Sequence, residues 1–112
     1  MLIYHMCGDE EWRTARAPGR YEGSSQDKRD GFIHFSTAET IRDSAAKHRA
    51  GQTGLVMIAV DPAKLGPALR WETARDGQLF PHLYGALDIE DAAWVRDLPL
   101  GIDGVHLFPE LD

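Results

Sequence analysis

The run LVMIAV, residues 55–60, limits the fold of this chain more than any other feature, because six apolar residues follow one another without interruption. A strand with one exposed face alternates apolar and polar side chains, whereas a strand covered on both faces is apolar throughout. Gly54 precedes the run and Asp61-Pro62 follows it, so the segment is bounded at the length of a strand. The run therefore predicts a buried central strand at Leu55–Val60.

The residues at the start of the chain predict a strand and a short helix. Leu2–Met6 is mostly apolar and ends at Gly8, which is typical of a strand. Asp9 can then cap a helix that continues to about Ala15, with Trp12 as its buried anchor. The chain is therefore expected to begin with a strand and to turn directly into a helix.

The stretch between residues 20 and 50 combines polar and apolar segments. RYEGSSQDKRD, residues 20–30, is polar with a Gly-Ser-Ser centre and predicts an exposed loop that could move. GFIHF, residues 31–35, predicts a strand. Ser36-Thr37-Ala38-Glu39 has the pattern of a capping box, which predicts a helix from Thr37 to about Ala50. The side chains expected on its core face are Ala38, Ile41, Ala45 and Ala46.

A hairpin is predicted next in the chain. ALRWE, residues 68–72, and LFPHLYGAL, residues 79–87, flank the Asp76-Gly77 turn signal within ARDGQ, so the two segments are expected to pair. Pro81 has no N–H to donate to a neighbouring strand. The second strand of the hairpin is therefore expected at a sheet edge or at a bulge.

The last elements complete an α+β pattern. Residues 88–97 predict a short helix capped by Asp88, and residues 102–108 predict a terminal strand. At 112 residues the chain is long enough for one core and too short for two. The sequence therefore predicts a small single domain over residues 1–112, with a mixed, mostly antiparallel sheet and short helices.

Composition argues against several classes of partner. The net charge is -6 and no window concentrates Lys and Arg, which argues against a nucleic acid. The N-terminal residues have no basic leader and their apolar run stops at Gly8, so neither a signal peptide nor a membrane span is expected. Cys7 has no second cysteine to pair with, which fits the reducing cytoplasm. The protein is expected to be cytoplasmic, and its oligomeric state is left open.

The first candidate functional residue is His34, in GFIHFS. Residues two apart in a strand share a face, so His34 lies with Phe32 and Ser36, away from Ile33 and Phe35. A helix N-terminus directly after the strand would disfavour imidazolium and keep the ring neutral. A neutral imidazole offers one donor and one acceptor, which suits a pair of sugar hydroxyls.

A second histidine repeats this arrangement. Phe80, His82 and Tyr84 share one face of LFPHLYG, and the hairpin can bring Glu72 close to His82. Aromatic walls around a few polar groups are typical of small-molecule pockets. His34, Glu72, His82 and Tyr84 therefore predict one such site.

Structural roles account for the same residues equally well. The role of a helix cap is enough to explain Ser36. His34 and His82 can be buried imidazoles that are hydrogen-bonded to the backbone. Glu72 can be a solvated strand residue and Tyr84 a core residue with its hydroxyl at the rim. Cys7 is expected to be a packing thiol, while His5, His48 and His106 are expected to be structural or at the surface.

The motifs in their order resemble a bacterial family called domain of unknown function 952. The resemblance is carried by IYH near the start, a Trp in the first helix, GRYEGSSQDKRDGFIHFS, LRWE and FPHLYG, and it covers essentially the whole chain. It implies a fold similar to the ADP-ribosylation fold of ADP-ribosyltransferase toxins, poly-ADP-ribose polymerases and RNA 2'-phosphotransferases.

That resemblance also implies roles for some residues. In the wider group a strand with His, any residue, then Ser or Thr grips NAD, which His34 and Ser36 match, so His34 is implied as a ribose ligand. A stacking Tyr and a Glu that stabilises an oxocarbenium-like ribose are also typical, and Tyr84 and Glu72 are available. Here the Glu precedes the Tyr, and Phe35 stands where the group often has Gly. The acidic balance argues against an RNA phosphotransferase.

Three hypotheses follow. The first is an NAD- or ADP-ribose-related enzyme with Glu72 and His82 as catalytic residues and His34, Ser36 and Tyr84 as ligand-binding residues. The second is a module that binds a nucleotide or another small ligand without catalysis. The third is a hydrolase that holds a metal through His34, His82 and Glu72, although no HxxxH or CxxC spacing supports a metal site.

Overall fold

The computed structural model describes residues 1–74 and 76–111, and in that part of the chain short helices interrupt a series of strands. The strands and α-helices are β1 (Ile3–Gly8), α1 (Asp9–Arg16), β2 (Arg20–Tyr21), α2 (Ser25–Asp30), β3 (Ile33–His34), α3 (Ile41–His48), β4 (Leu55–Val60), β5 (Leu69–Thr73), β6 (Leu79–Leu83), β7 (Leu87–Asp88) and β8 (Ala92–Leu98). Three 3-10 helices lie at Pro62–Lys64, Gly66–Ala68 and Ile89–Asp91.

The first sheet confirms the central strand predicted from the apolar run. Its order is β1-β4-β8, and both neighbours run antiparallel to β4. Every residue of β4 is buried. Val56, Ile58 and Val60 face a core that contains Trp12 of α1. The alternate residues of β4 face a second core that contains Ile41 of α3. The run is apolar throughout because both faces of the sheet are covered, one by α1 and residues of other strands and the other by α3.

The second sheet contains the predicted hairpin. Its order is β3-β6-β5, with both pairs antiparallel, so the pairing of β5 with β6 is confirmed. Arg75, within the predicted turn segment, lies outside the described residues. One face of this sheet packs Ile33 and Leu83 into the core of α1. The other face carries His34 and His82, which are directly opposite each other.

The expectation that Pro81 places its strand at an edge or a bulge is wrong, because β6 lies in the middle of its sheet. Opposite Pro81 the chain is already leaving β3, and the Phe35 N–H donates to the Pro81 carbonyl at 3.0 Å. A fully bonded pair there would also need an N–H from residue 81. The central position is tolerated because pairing with β3 ends where that donor is missing.

Residues 33–36 connect the two sheets. Ile33 and His34 pair with β6, and two residues later Ser36 pairs with Tyr4 of β1 through two backbone hydrogen bonds of 2.8 Å. The short segment therefore crosses from one sheet to the edge of the other. The crossing opens a space beside His34, and that space becomes the cavity described below.

The predicted exposed loop at residues 20–30 is wrong. Tyr21 is buried in β2, and α2 begins at Ser25 with Ser24 as its N-cap. Ser24 and Asp27 form a capping box, with the Ser24 N–H donating to Asp27 Oδ2 at 2.7 Å and the Asp27 N–H donating to Ser24 Oγ at 3.3 Å. The polar composition hid this ordered turn, because its polar groups bond one another and are buried together.

The capping box predicted at Ser36 is also wrong. Helix α3 begins at Ile41 and ends at His48, and the Ser36 backbone pairs with β1 instead. The Thr37 N–H is satisfied by Thr40 Oγ1 at 3.0 Å. Ile41 and Ala45 face the core as expected, whereas Ala46 is exposed. Pairing with the edge of β1 takes precedence over the local helix signal.

The two C-terminal predictions are wrong as well. Residues 88–97 form the end of β7, a 3-10 helix and most of β8 rather than an α-helix. Strand β8 supplies the second neighbour that the buried β4 requires, which local propensity does not show. Within the predicted strand at residues 102–108 the structure has only a bridge from His106 to Leu100.

The observed fold is a small α+β domain with antiparallel sheets and short helices, as predicted at that level. Within the described residues, no helix has both the length and the apolar character that crossing a membrane requires.

Candidate functional site

A cavity of about 710 Å³ lies where the two three-stranded sheets meet. Residues 4–6 of β1 and residues 34–36 line it, and Asp27 lines it from α2. Helix α3 and its C-terminal end contribute Ser44 and Arg49, and the β5–β6 hairpin contributes His82. Ligand sites for small molecules commonly have volumes of about 300 to 1,000 Å³. The cavity is therefore large enough to hold a ligand of nucleotide size.

His82 and Glu72 form a hydrogen-bonded pair at this cavity. The Nδ1 atom of His82 lies 2.7 Å from Glu72 Oε1, and the Tyr84 hydroxyl donates to the same oxygen at 2.7 Å. The hydrogen bond from Tyr84, followed by that from His82, lowers the pKa of the Glu72 carboxyl. An ionised carboxylate only accepts hydrogen bonds, so Nδ1 of His82 carries the proton in this contact.

The other ring nitrogen of His82 is open. Within residues 1–74 and 76–111 no hydrogen bond to Nε2 is formed, and no buried side-chain nitrogen or oxygen there lacks a partner. Nε2 is therefore exposed, on a residue that lines the cavity. A neutral ring with its proton on Nδ1 presents a lone pair at Nε2. A carboxylate that fixes the tautomer in this way is what orients the histidine base of many hydrolases.

His34 lies between two carboxylates of α2. Its Nδ1 is 2.5 Å from Asp27 Oδ1, and its Nε2 is 3.1 Å from Asp30 Oδ2. The prediction that His34 faces a helix N-terminus is therefore wrong, because α3 begins seven residues later and carboxylates surround the ring. Both ring nitrogens are engaged by these carboxylates, and the N-terminus of α3 does not face the ring.

The Asp27 side chain links α2 to His34 at the cavity. Its buried side chain accepts from the Ser24 N–H at 2.7 Å and from the His34 N–H at 3.2 Å, in addition to the His34 ring. Burial alone would raise the pKa of Asp27. The hydrogen bond from the His34 ring and the two backbone donors oppose burial, and the pKa is lowered to about 2. Asp27 is therefore ionised and fixed in place.

His5 lies beneath this pair and is 3% exposed. Burial lowers the pKa of His5 although the nearby Asp27 carboxylate acts in the opposite direction, so the ring is neutral at pH 7. Its Nδ1 donates to the His34 carbonyl at 2.6 Å, and the Tyr21 hydroxyl donates to Nε2 at 2.6 Å. His5 is therefore structural, as expected, and it fixes the backbone at His34.

Phe32 packs against the candidate residues as an aromatic spacer. Its ring stacks on His82 with 4.1 Å between centroids and is tilted against His34 at 4.5 Å and Tyr84 at 5.2 Å. The two histidine rings lie 5.7 Å apart, edge to face. This packing restricts the rotamers of both histidines, so the site is preorganised.

The sequence matches one family of known proteins. Residues 6–95 match the family described as protein of unknown function, DUF952. The chain belongs to that family. No curated protein matches the sequence.

Solved structures similar to this DUF952 chain include a crystal structure of protein CC0527 from Caulobacter crescentus. It is 45% identical, the match covers 96% of this chain and 94% of that chain, and the TM-score is 0.91. A double mutant of CC0527 is 44% identical over the same shares of both chains, also with a TM-score of 0.91. The solution NMR structure of CC0527 is 46% identical, covers 93% of this chain and 90% of that chain, and has a TM-score of 0.83.

The predicted site residues of this DUF952 protein are brought together in part. His34, Ser36 and His82 line the cavity, whereas Glu72 and Tyr84 are not among its lining residues and lie behind His82. Ser36 is 6% exposed, and its hydroxyl donates to Ser44 Oγ at 3.0 Å. In the described residues, no group of three or more His, Cys, Asp or Glu side chains could hold a metal ion, so the metal hypothesis gains no support.

Two residues of the site were missed from the sequence, Asp27 and Arg49. A signal for Asp27 was present, because Ser24 followed three residues later by an acidic residue is a capping pattern. That pattern would have fixed α2 and with it the carboxylate beside His34. Arg49 gave no local signal, since its place at the cavity depends on how α3 packs over β1.

Proposed function

We propose that this DUF952 protein binds a small nucleotide-like molecule in its cavity and that His82, oriented by Glu72, accepts or returns a proton on that ligand. The observation that carries the proposal is the exposed Nε2 of His82, a residue that lines the cavity, with Nδ1 held by Glu72 at 2.7 Å. A positioned histidine of this kind contributes about 100- to 10,000-fold to the rate of a proton-transfer step.

The ligand class, NAD or ADP-ribose, rests on the resemblance to the ADP-ribosylation fold. It is supported by the position of His34 and Ser36 on the segment that joins the two sheets beside the cavity. In this proposal His34 contributes as a fixed wall of the ligand site, because Asp27 and Asp30 occupy its nitrogens. Glu72 is a positioning residue that acts through His82.

Binding and turnover are tested separately. Calorimetric titration with NAD and ADP-ribose measures binding, and release of nicotinamide or ribose-containing products from NAD measures turnover. We expect His82→Gln to retain binding within a few-fold and to lose turnover by about 100-fold or more. Glu72→Gln is expected to lose part of the turnover and to alter its pH profile, since the tautomer of His82 is no longer fixed.

The matched control is Glu90→Gln, which makes the same change of charge at an exposed residue outside the cavity lining. Full turnover by His82→Gln, or equal losses in Glu72→Gln and Glu90→Gln, would contradict the proposed roles. No binding of either nucleotide to the wild-type protein would remove the ligand class.

The second candidate is a binding module without catalysis. It is favoured by one observation, that Glu72 and Tyr84 lie outside the cavity lining and cannot stabilise a charge on a ligand directly. Under this alternative ADP-ribose or NAD binds, no nucleotide is turned over, and Glu72→Gln binds as tightly as the wild-type protein.

A further inference from the structure

Arg49 lines the cavity, and no carboxylate of the described residues neutralises its charge. It lies directly after α3, and its guanidinium donates to the Met6 carbonyl at 3.0 Å and to Gln52 Oε1 at 3.1 Å. Both acceptors are uncharged. Within residues 1–74 and 76–111 no carboxylate lies within ion-pair distance of Arg49. The side chain is therefore held in place by uncharged acceptors.

The carboxylates that line the same cavity are each engaged elsewhere. Asp27 is bound by His34 and Ser24, and Asp43 pairs with Lys47 at 3.2 Å. Asp76 accepts from a backbone N–H in the hairpin turn. Lys47 therefore has its own counter-ion, whereas Arg49 has none in the part of the chain that the structure describes.

The charge of Arg49 also acts on His5, another residue that lines the cavity. It is one of the influences that lower the pKa of His5, after the larger effect of burial. A guanidinium has five N–H donors, of which the two hydrogen bonds above use two. A fixed guanidinium with uncommitted donors matches the geometry of a carboxylate or phosphate group.

We infer that Arg49 binds an anionic oxygen group, a phosphate or a carboxylate, of the molecule that occupies the cavity. The inference rests on the proposed function in that it places the ligand's charged group on the α3 side while His82 meets another part of the ligand. The inference is tested by measuring binding alone, without any measurement of turnover.

The test compares ligands that differ only in the anion. Calorimetric titration with AMP and with adenosine gives the phosphate preference of each variant as a ratio of dissociation constants. We expect AMP to bind on the order of 10- to 100-fold more tightly than adenosine to the wild-type protein, since hydrogen bonds to charged groups have that strength. The preference disappears in Arg49→Gln.

Arg42→Gln is the control, because Arg42 is on α3, the helix that Arg49 follows, but lies outside the cavity lining, with its guanidinium over Phe108 at 5.2 Å. It should keep the full preference. Arg49→Lys is expected to keep a preference several-fold smaller, because an ammonium lacks the planar fork. If Arg49→Gln does not fold, Arg49→Lys decides. An unchanged preference in Arg49→Lys would then overturn the inference, as would an equal affinity of the wild-type protein for AMP and adenosine.

The inference and the proposed function can fail independently. NMR titration of the wild-type protein with inorganic phosphate alone, and with acetate alone, follows the Arg49 side-chain resonances at millimolar concentrations. Shifts with either anion that are absent in Arg49→Gln support the anion site even when no nucleotide binds, and the anion that gives them identifies the group. If neither anion shifts those resonances and neither AMP nor adenosine binds, the inference is wrong. If NAD is turned over at His82 and Arg49→Gln changes neither ligand binding nor turnover, the proposed function stands and the inference about Arg49 is wrong.

Discussion

Asp27→Asn is the substitution that tests the frame of the site most sharply. It keeps the shape of the side chain but removes the charge that His34 and two backbone donors contact. The pKa of Asp27 falls from 3.8 to about 2 on folding. At about 1.4 kcal/mol for each pKa unit, the ionised carboxylate contributes about 2 kcal/mol to the stability of the folded state.

The amide cannot replace all the hydrogen bonds that the carboxylate accepts. An asparagine has one acceptor oxygen, so its NH₂ group would face either the Ser24 N–H or His34, and a buried donor would lose its partner. Leaving one such donor unsatisfied costs about 1 kcal/mol or more. Because these hydrogen bonds are already part of the pKa shift, we expect Asp27→Asn to lower the free energy of unfolding by about 2 kcal/mol at pH 7, measured by urea denaturation.

The pH dependence has a fixed sign. Because the folded-state pKa of Asp27 lies below its unfolded value, the stabilisation is present above about pH 5 and is lost as the pH falls toward 2. The difference between the wild-type protein and Asp27→Asn should therefore narrow by about 1 kcal/mol between pH 5 and pH 3.

Asp30→Asn is the matched control, since Asp30 contacts the same ring from the same helix but is 44% exposed. Exposed ion pairs contribute about 1 kcal/mol or less, so this variant should be only slightly destabilised. Equal losses in Asp27→Asn and Asp30→Asn, or a difference that does not change between pH 5 and pH 3, would refute the assignment of Asp27 as the buried anchor of α2.

Three further predictions follow from local geometry. Gly31→Ala should lower the free energy of unfolding by about 1 kcal/mol in thermal denaturation, because the backbone of Gly31 has a φ of +86°. Gly85 has no positive φ, so Gly85→Ala should change the free energy of unfolding by a few tenths of a kcal/mol at most. Equal effects of the two substitutions would contradict this prediction. The Cys7 thiol, whose pKa burial raises to about 12, should react with a thiol reagent at pH 8 only after the protein unfolds, and fast labelling of the folded protein would disprove its burial. The hydrogen bond from Tyr84 to Glu72 raises the pKa of Tyr84. In Glu72→Gln one tyrosine should therefore ionise at lower pH than in the wild-type protein, as followed by ultraviolet absorbance. Identical titrations of the two proteins would show that the contact is absent in solution.

The elements that the sequence predicted correctly are those whose pattern is local. The six apolar residues of β4 and the Asp76-Gly77 turn between β5 and β6 each specify one structure without reference to distant segments. The contact between Glu72 and His82 followed from the hairpin: Arg70 is directly opposite His82, and Glu72 reaches His82 diagonally on the same face.

The elements predicted wrongly depend on partners far along the chain. Ser36-Thr37-Ala38-Glu39 is a sound capping signal, but the open edge of β1 pairs with Ser36 instead. Residues 92–98 are a strand because β4 requires a second neighbour, which nothing within those residues reveals. The surroundings of His34 were predicted wrongly for the same reason, since they follow from where α2 packs rather than from the next residues in sequence.

The most direct test of the proposed function is the protonation of the two ring nitrogens of His82, observed by long-range ¹H–¹⁵N NMR with and without ADP-ribose. We predict that the neutral ring carries its proton on Nδ1, with an unprotonated Nε2 whose ¹⁵N shift changes when ADP-ribose is added. Glu72→Gln should reduce the population of this tautomer. A neutral ring with its proton on Nε2, or a spectrum of His82 that saturating ADP-ribose does not alter, would contradict it.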